Sequence, residues 1–252
     1  MSNRPSSQSN DLSDHLYGLH PVTEALKADR RLFQELLIDE KAPANRFRDV
    51  CRLAESYHAP VHACSKHDLF EACGSRQHQG VVLTCSSFPY STLTDDIFEQ
   101  PRLLLLDNLE DPRNTGAILR SADLFGFTTV LLPKKGGAGV YPSVVKTSAG
   151  ASEHLTVVRE ANSTTYFKRA ASAGYRTVAM DAGGDVSLSD VPPDDGRPLF
   201  LILGGEDKRI GQYLLNSADV IAKIPQDGHV NSLNASVAAG IALFHFTGGV
   251  RS

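Results

Sequence analysis

The sequence has no apolar run of the length a membrane-spanning helix requires, so a helical span is excluded from the start. The opening stretch MSNRPSSQSNDLSD lacks the apolar centre of a secretory signal. Residues 1–15 therefore read as a polar, disordered leader, and the cytoplasm is the expected compartment. Cysteine is scarce: Cys51, Cys64, Cys73 and Cys85 are the whole set of 4, with no C-x-x-C pair, so a redox motif is not indicated and buried thiols are the simplest reading. His62, Cys64, His67, Cys73 and His78 crowd one region, but their spacing fits no common zinc pattern and no metal is expected. Positive charge is not in excess either. The net charge of −4 is unlike that of many nucleic-acid binders, although a whole-chain balance says nothing about a local patch. Arg30 with Arg31, Arg46 with Arg48, and Lys134 with Lys135 are the candidate basic clusters, and each pair alone is most simply a solvated surface.

What is present has two compositional regions. Residues 16–85 alternate short helix and strand patterns: GLHPVTEALKAD as a helix, FQELLID as a strand, FRDVCRLAESYH with one apolar helical face, APVHAC as a strand, KHDLFEAC as a helix and GVVLTC as a closing strand. This predicts a small α/β domain. Residues 86–100, with Pro89 and several Ser and Thr, read as a linker that ends in a short helix. From residue 101 to 252 the pattern is a larger βαβ alternation. Strands are expected at Leu103–Leu106 and within TTVLLP, YRTVAMD, LFLILGGE and DVIAKIP, and an Ala-rich helix in SLNASVAAGIALFHF closes the chain. Such alternation implies a mostly parallel sheet, in which ligands sit beyond the carboxyl ends of the strands. No G-x-G-x-x-G follows the first strand of this region, which sets aside a dinucleotide-binding dehydrogenase.

Three strand ends carry polar residues that a plain turn does not need. In LLLLDNLEDPRNTGAILRSADLFG, Asn114 stands where a helix N-cap is expected, Gly116 permits close approach of another backbone or a ligand, and Arg120 sits among apolar neighbours. That arginine needs a partner if buried, or else snorkels from the helix flank. In LFLILGGEDKRIG a strand runs into Gly204-Gly205 and then Glu206, a turn that exposes backbone N–H groups. In IPQDGHVNSLNASVAAGIALF, Asn231 or Ser232 is the expected cap, yet Asn231, Ser232, Asn234 and Ser236 exceed what one cap uses. The residues alone thus predict a polar pocket built from Asn114, Arg120, Glu206, Ser232 and Asn234, and they leave its reaction open.

These segments, in this order, resemble the three motifs of the SpoU/TrmH family of RNA ribose 2′-O-methyltransferases in the SPOUT superfamily. Asn114, Gly116 and Arg120 match the first motif; Gly204 and Glu206 the second; Ile224, Pro225, Gly228, Ser232, Leu233, Asn234 and Ser236 the third. VVKTSAGASEHL is similar to the stretch between the first two, and GLHPVTEAL with HQGVVLTC resembles the family's N-terminal substrate domain, itself similar to small ribosomal RNA-binding proteins. Asp207, Arg209, Gln226 and Asn231 depart from the commoner residues. The resemblance implies a parallel-sheet domain closed by a deep trefoil knot, dimerisation through that domain, and S-adenosylmethionine held by the backbones at Gly204, Ile224 and Leu233. Among family members the layout is most similar to enzymes that methylate a guanosine ribose of 23S rRNA, with tRNA as the other substrate class. A non-catalytic RNA-binding or assembly factor of the same fold is the rival reading.

The resemblance also implies roles. A ribose 2′-hydroxyl is a poor nucleophile, so the site must align it with the methyl group and stabilise a developing alkoxide. Family proposals assign Arg120 as general base. An arginine pKa above about 12 makes binding of the neighbouring phosphate or of the oxyanion an equal alternative. Asn114 would hold Arg120 or the ribose, Glu206 would orient that network, and Ser232 and Asn234 would complete it.

Overall fold

The structure, a computed structural model, describes residues 13–43, 45–205, 208–228 and 232–248. The first unit holds β1 (Ser13–Tyr17), α1 (Leu19–Ala28), β2 (Phe33–Asp39), α2 (Arg48–Ser56), β3 (Val61–Cys64), α3 (Lys66–Cys73) and β4 (Val81–Ser86). Its sheet has the order β1-β4-β2-β3, antiparallel except for the β2–β3 pair. α3 begins with a complete capping box, in which the Ser65 side chain accepts from the Asp68 N–H and the Asp68 carboxylate accepts from the Ser65 N–H. β1 starts three residues before the expected domain edge at Leu16, and the remainder of the expected leader, residues 1–12, lies outside the described residues. Between the two units, Ser91 bridges to Val158 and residues Asp95–Glu99 form a single 3-10 turn, so the linker is tied to the second sheet.

The second unit holds β5 (Arg102–Asp107), α4 (Pro112–Leu124), β6 (Thr129–Leu131), α5 (Pro142–Thr147), β7 (Thr156–Val158), α6 (Ser163–Ser172), β8 (Arg176–Met180), β9 (Val186–Ser187), β10 (Leu199–Gly204), α7 (Gln212–Ser217), β11 (Val220–Lys223) and α8 (Ala235–Phe246). The short α5, α7, β7 and β9 were not expected from periodicity. All seven strands run parallel in the order β7-β6-β5-β10-β8-β11-β9. The Leu103–Leu106 run is continuous because both faces of β5 are covered. Leu104 and Leu106 join Ile118, Val144 and Leu243 of α4, α5 and α8, while Leu103 and Leu105 join Tyr166, Phe167 and Leu214 of α6 and α7.

The two units share one apolar core, in which Leu16, Val22 and Leu83 of the first are contiguous with Ile118, Val144 and Val145 of the second. A buried ion pair reinforces the joint. Arg31 donates through Nη2 to Glu153 Oε1 at 2.8 Å and through Nε to Oε2 at 2.9 Å, and both side chains are fully buried. Its Nη1 also reaches Asp14 at 2.7 Å and the Ser86 carbonyl at 2.9 Å. Burial alone would lower the Arg31 pKa, but the Glu153 carboxylate raises it. Arg30 donates to the Leu155 carbonyl at 2.5 Å. These two arginines therefore hold the units together and do not form the surface cluster entertained from the sequence. Of the four cysteines only Cys85 is buried, while the other three are half-buried.

Candidate active site

In the sheet order the chain winds outward from β5 through β6 and β7, then returns on the far side of β10 to β8. The crevice at the carboxyl ends of β5 and β10 is thus the point where a parallel sheet of this kind receives ligands. Asp107 ends β5 there, buried, accepting from Ser163 Oγ at 2.5 Å, the Gly211 N–H at 2.8 Å and Asn108 Nδ2 at 3.3 Å. Asn108, at a φ of 52°, then donates to the Arg209 carbonyl at 3.0 Å. The turn after β5 is in this way pinned to the turn after β10. Glycine at 205 is required for that contact, since a Cβ would lie 2.3 Å from the Asn108 carbonyl oxygen. Asp107 was not singled out from the sequence, although an acid that abruptly ends an apolar strand was the available signal.

Beside this crossing lies a cavity of about 300 Å³ at the ends of β8, β10 and β11. Gly204, Ile224 and Leu233, the three positions expected to hold the donor, all line it. Met180, Ile210, Ala222, Ala235 and Ala238 make an apolar wall, and Asp181, Arg209 and Ser232 bring polar groups to the same space. The size and the mixture of an apolar wall with a few polar groups suit a small-molecule cofactor. The close approach of Ile210 N to Gly204, where a Cβ would sit 2.9 Å away, leaves the strand-end backbone itself as wall. Asp181, whose side chain is only 10% exposed and lies 4.0 Å from Arg209, was missed because nothing in its local pattern distinguishes it from a loop acid.

Asn114 and Asn234 meet: Asn234 Nδ2 donates to Asn114 Oδ1 at 3.1 Å. Two capping expectations are corrected here. α4 is capped by Asp111, whose carboxylate accepts from the Arg113 N–H at 2.9 Å, with Pro112 in the first turn. Asn114 is therefore inside the helix and its side chain is not spent on capping. α8 is capped by Asn234, accepting from the Ser236 N–H at 3.0 Å, in place of Asn231 or Ser232. Gly116 serves a helix contact and not a ligand: a Cβ there would be 2.6 Å from Thr147 Cβ and 2.8 Å from the Val144 carbonyl of α5.

Arg120 lies on the exposed flank of α4, lines neither this cavity nor the adjoining cleft described below, and has no hydrogen bond or ion pair among the described residues. The structure thus brings Asn114, Ser232 and Asn234 to the crevice and sets Arg120 on the outer surface of the same helix. Glu206 lies outside the described residues.

Comparison with known proteins agrees with this geometry. Residues 101–244 match the SpoU rRNA Methylase family, and residues 15–91 match the RNA 2′-O ribose methyltransferase substrate-binding domain. YacO of Bacillus subtilis, named for the TrmH family of tRNA/rRNA methyltransferases, is 34% identical over 238 residues, covering 92% of this chain and 94% of its own. Mb3610c of Mycobacterium bovis, named as an uncharacterized tRNA/rRNA methyltransferase, is 36% identical over 242 residues, covering 92% of this chain and 73% of its own. Among solved structures, an AdoMet-bound rRNA methyltransferase from Sinorhizobium meliloti superimposes with a TM-score of 0.80 at 25% identity, over 96% of this chain and 89% of that one. AviRb from Streptomyces viridochromogenes, in complex with AdoMet, shares the fold with a TM-score of 0.77 at 24% identity, over 95% and 91% of the chains. The chain belongs to the SpoU rRNA methylase family of RNA ribose 2′-O-methyltransferases. S-adenosylmethionine is the cofactor of this family, and the Sinorhizobium meliloti structure holds it bound.

Proposed function

We propose that this protein transfers a methyl group from S-adenosylmethionine to a ribose 2′-hydroxyl of structured RNA, with a guanosine of 23S rRNA as the target. The observation that carries the reading is the convergence of Gly204, Ile224, Ser232 and Leu233 on one cavity at the β10–β11 strand ends, next to the Asn114–Asn234 pair. The donor supplies an electrophilic methyl on a sulfonium. The backbones at Gly204, Ile224 and Leu233 would hold it against the apolar wall, and the Asp181 carboxylate would be available to accept a hydrogen bond from it. Asn114 and Asn234, fixed by their mutual hydrogen bond, orient the acceptor ribose, with Ser232 and Glu206 completing the polar network. Arg120, exposed and unpaired among the described residues, suits binding of an RNA phosphate beside the reacting sugar better than abstraction of a proton.

We also infer a homodimer through the α4–α8 face, with the C-terminal chain threaded as a trefoil knot, acting in the cytoplasm. Val237, Ile241 and Phe244 recur at i, i+4 and i+7 on α8 and are 50%, 41% and 49% exposed. Leu124, at 71% exposure, extends the stripe on α4, and Phe125 packs edge-on against Phe244 at 5.8 Å. An apolar strip of this kind is what a second subunit covers. The threading reading is supported by Ile224, Gln226, Ser232 and Leu233 lining one cavity with Gly204 and Gly205, and by the packing of α8 on α4.

The test is calorimetry with S-adenosylmethionine, followed by tritiated methyl transfer to rRNA and tRNA from a strain lacking the gene and nuclease mapping of the product. Donor binding and a 2′-O-methylated guanosine in 23S rRNA are expected. Binding of RNA without donor binding or transfer would favour the assembly-factor reading.

A further inference from the structure

On the other side of the Gly205–Asn108 contact lies a second cleft, about 270 Å³ in volume. It is lined by Asn108, Leu109, Glu110, Asp111, Arg113, Asn114, Gly205 and Lys208, and Gly205 also lines the donor cavity. The two spaces therefore share a wall, and Asn114 faces the second of them.

Its chemistry is specific. Among the described residues Leu109 is its one aliphatic lining residue and no aromatic side chain lines it, so these residues offer no platform on which a base would stack. The cleft does offer two cations. The Arg113 side chain is 86% exposed, and its one ion pair among the described residues is to Asp111, through Nε at 3.4 Å. The Lys208 ammonium bridges the cleft to donate to Glu110 Oε1 at 2.7 Å. Both partners of that bridge are more than half exposed, at 62% and 56%, so the ion pair is cheap to exchange for another anion. It also joins the two turns whose separation opens the cleft, since Glu110 follows β5 and Lys208 follows β10.

We propose that this cleft receives a phosphodiester of the substrate RNA next to the ribose to be methylated. Arg113 and Lys208 are its ligands, and Glu110 is the internal anion that the phosphate displaces. An arginine fork and a lysine are the side chains that bind phosphate oxygens best. A carboxylate already seated on the lysine makes that cation available only to a ligand that brings a replacement negative charge. The proposal rests on the methyltransferase reading above and adds to it two specific positioning residues and a gate.

The experiment compares Arg113→Ala, Lys208→Ala and Glu110→Gln with the unaltered protein. Two measurements are made: S-adenosylmethionine affinity by calorimetry, and equilibrium binding of unmodified 23S rRNA and tRNA transcripts across a salt series. Lys208→Ala and Arg113→Ala are expected to weaken RNA binding by about 3- to 10-fold at low salt, and each to lower the salt slope by about 0.7–0.9. Glu110→Gln is expected to tighten RNA binding by about 2- to 5-fold, because the carboxylate that competes with the phosphate for the lysine is neutralised. Donor affinity stays the same in all three. The opposite signs for the two halves of one ion pair are decisive. If Glu110→Gln weakens binding as Lys208→Ala does, the bridge is merely structural and the proposal fails. It fails equally if RNA affinity and salt slope are unmoved on both transcripts. If the unaltered protein binds no donor, it is the underlying methyltransferase reading that fails.

Discussion

Asn234 of the closing helix donates to Asn114 of the first helix in the methylase unit at 3.1 Å, across 120 positions of sequence. The same Asn234 caps α8 through its other side-chain atom, accepting from the Ser236 N–H at 3.0 Å and from Ser236 Oγ at 2.6 Å. Cap and site are thus two ends of one amide, and they can be separated. Asn234→Asp keeps the acceptor that caps the helix and is favoured by the helix dipole, but it removes the donor that Asn114 accepts from. Methyl transfer should fall by about tenfold or more, the worth of a hydrogen bond of about 1.4 kcal/mol. Melting temperature and donor affinity should stay close to those of the unaltered protein. Unchanged turnover would remove the pair from substrate positioning.

The exposed stripe Val237, Ile241 and Phe244 is the face proposed for a homodimer, and a charge at its centre should prevent that association. Phe244→Glu combined with Ile241→Glu should sediment as a monomer of about half the mass. Circular dichroism should be unaltered, since both side chains are about half exposed already. A double variant that still sediments as a dimer would move the interface elsewhere.

Arg31 and Glu153, both fully buried, make the joint between the units depend on charge pairing. Removing one partner leaves an uncompensated buried charge, so Glu153→Gln should lose about 3–5 kcal/mol of unfolding free energy in urea. Arg31→Met with Glu153→Leu should lose much less than the sum of the single changes, because an apolar pair tolerates the buried setting. An additive double variant would show that the two groups do not act as a pair.

Cys85 gives stability a sign at alkaline pH. Burial pushes its thiol up to about 12 from an ordinary value of 9.0, even though Arg31 beside it acts the other way. The folded state keeps this proton where the unfolded chain loses it. The stabilisation is therefore complete below about pH 9 and is lost as pH rises from there toward 12. Tyr175, also pushed up to about 12 by burial from 10.0, adds a loss of the same sign above pH 10. Urea unfolding at pH 8, 9 and 10 should show falling stability, and Cys85→Ala should flatten the fall between pH 9 and 10. A thiol reagent at pH 8 should modify Cys51, Cys64 and Cys73 before Cys85, the buried one.

Much of this architecture is written locally. Each unit's main strands and helices follow from apolar period and flanking turns, and FQELLID, KHDLFEAC and the leucine run before Asp107 appear as read. Ser232 was marked by a segment too polar for a single cap, Gly204, Ile224 and Leu233 by the resemblance of their motifs, and the four line one cavity. Other features depend on contacts between distant residues, which no local window contains. A window around Asn114 suggests a cap, and only the fold shows Asp111 taking that role and freeing Asn114 for Asn234. Adjacent Arg30 and Arg31 read as surface charge until Glu153 is brought beside them. Asp107, Asp181 and the Glu110–Lys208 bridge gain meaning only where two strand ends meet. The sequence by itself determined the period of every long element and the chemistry available at the strand ends, because both are properties of neighbouring residues. The pairing of those ends was decided by tertiary structure alone, because burial and charge compensation are settled between residues far apart along the chain.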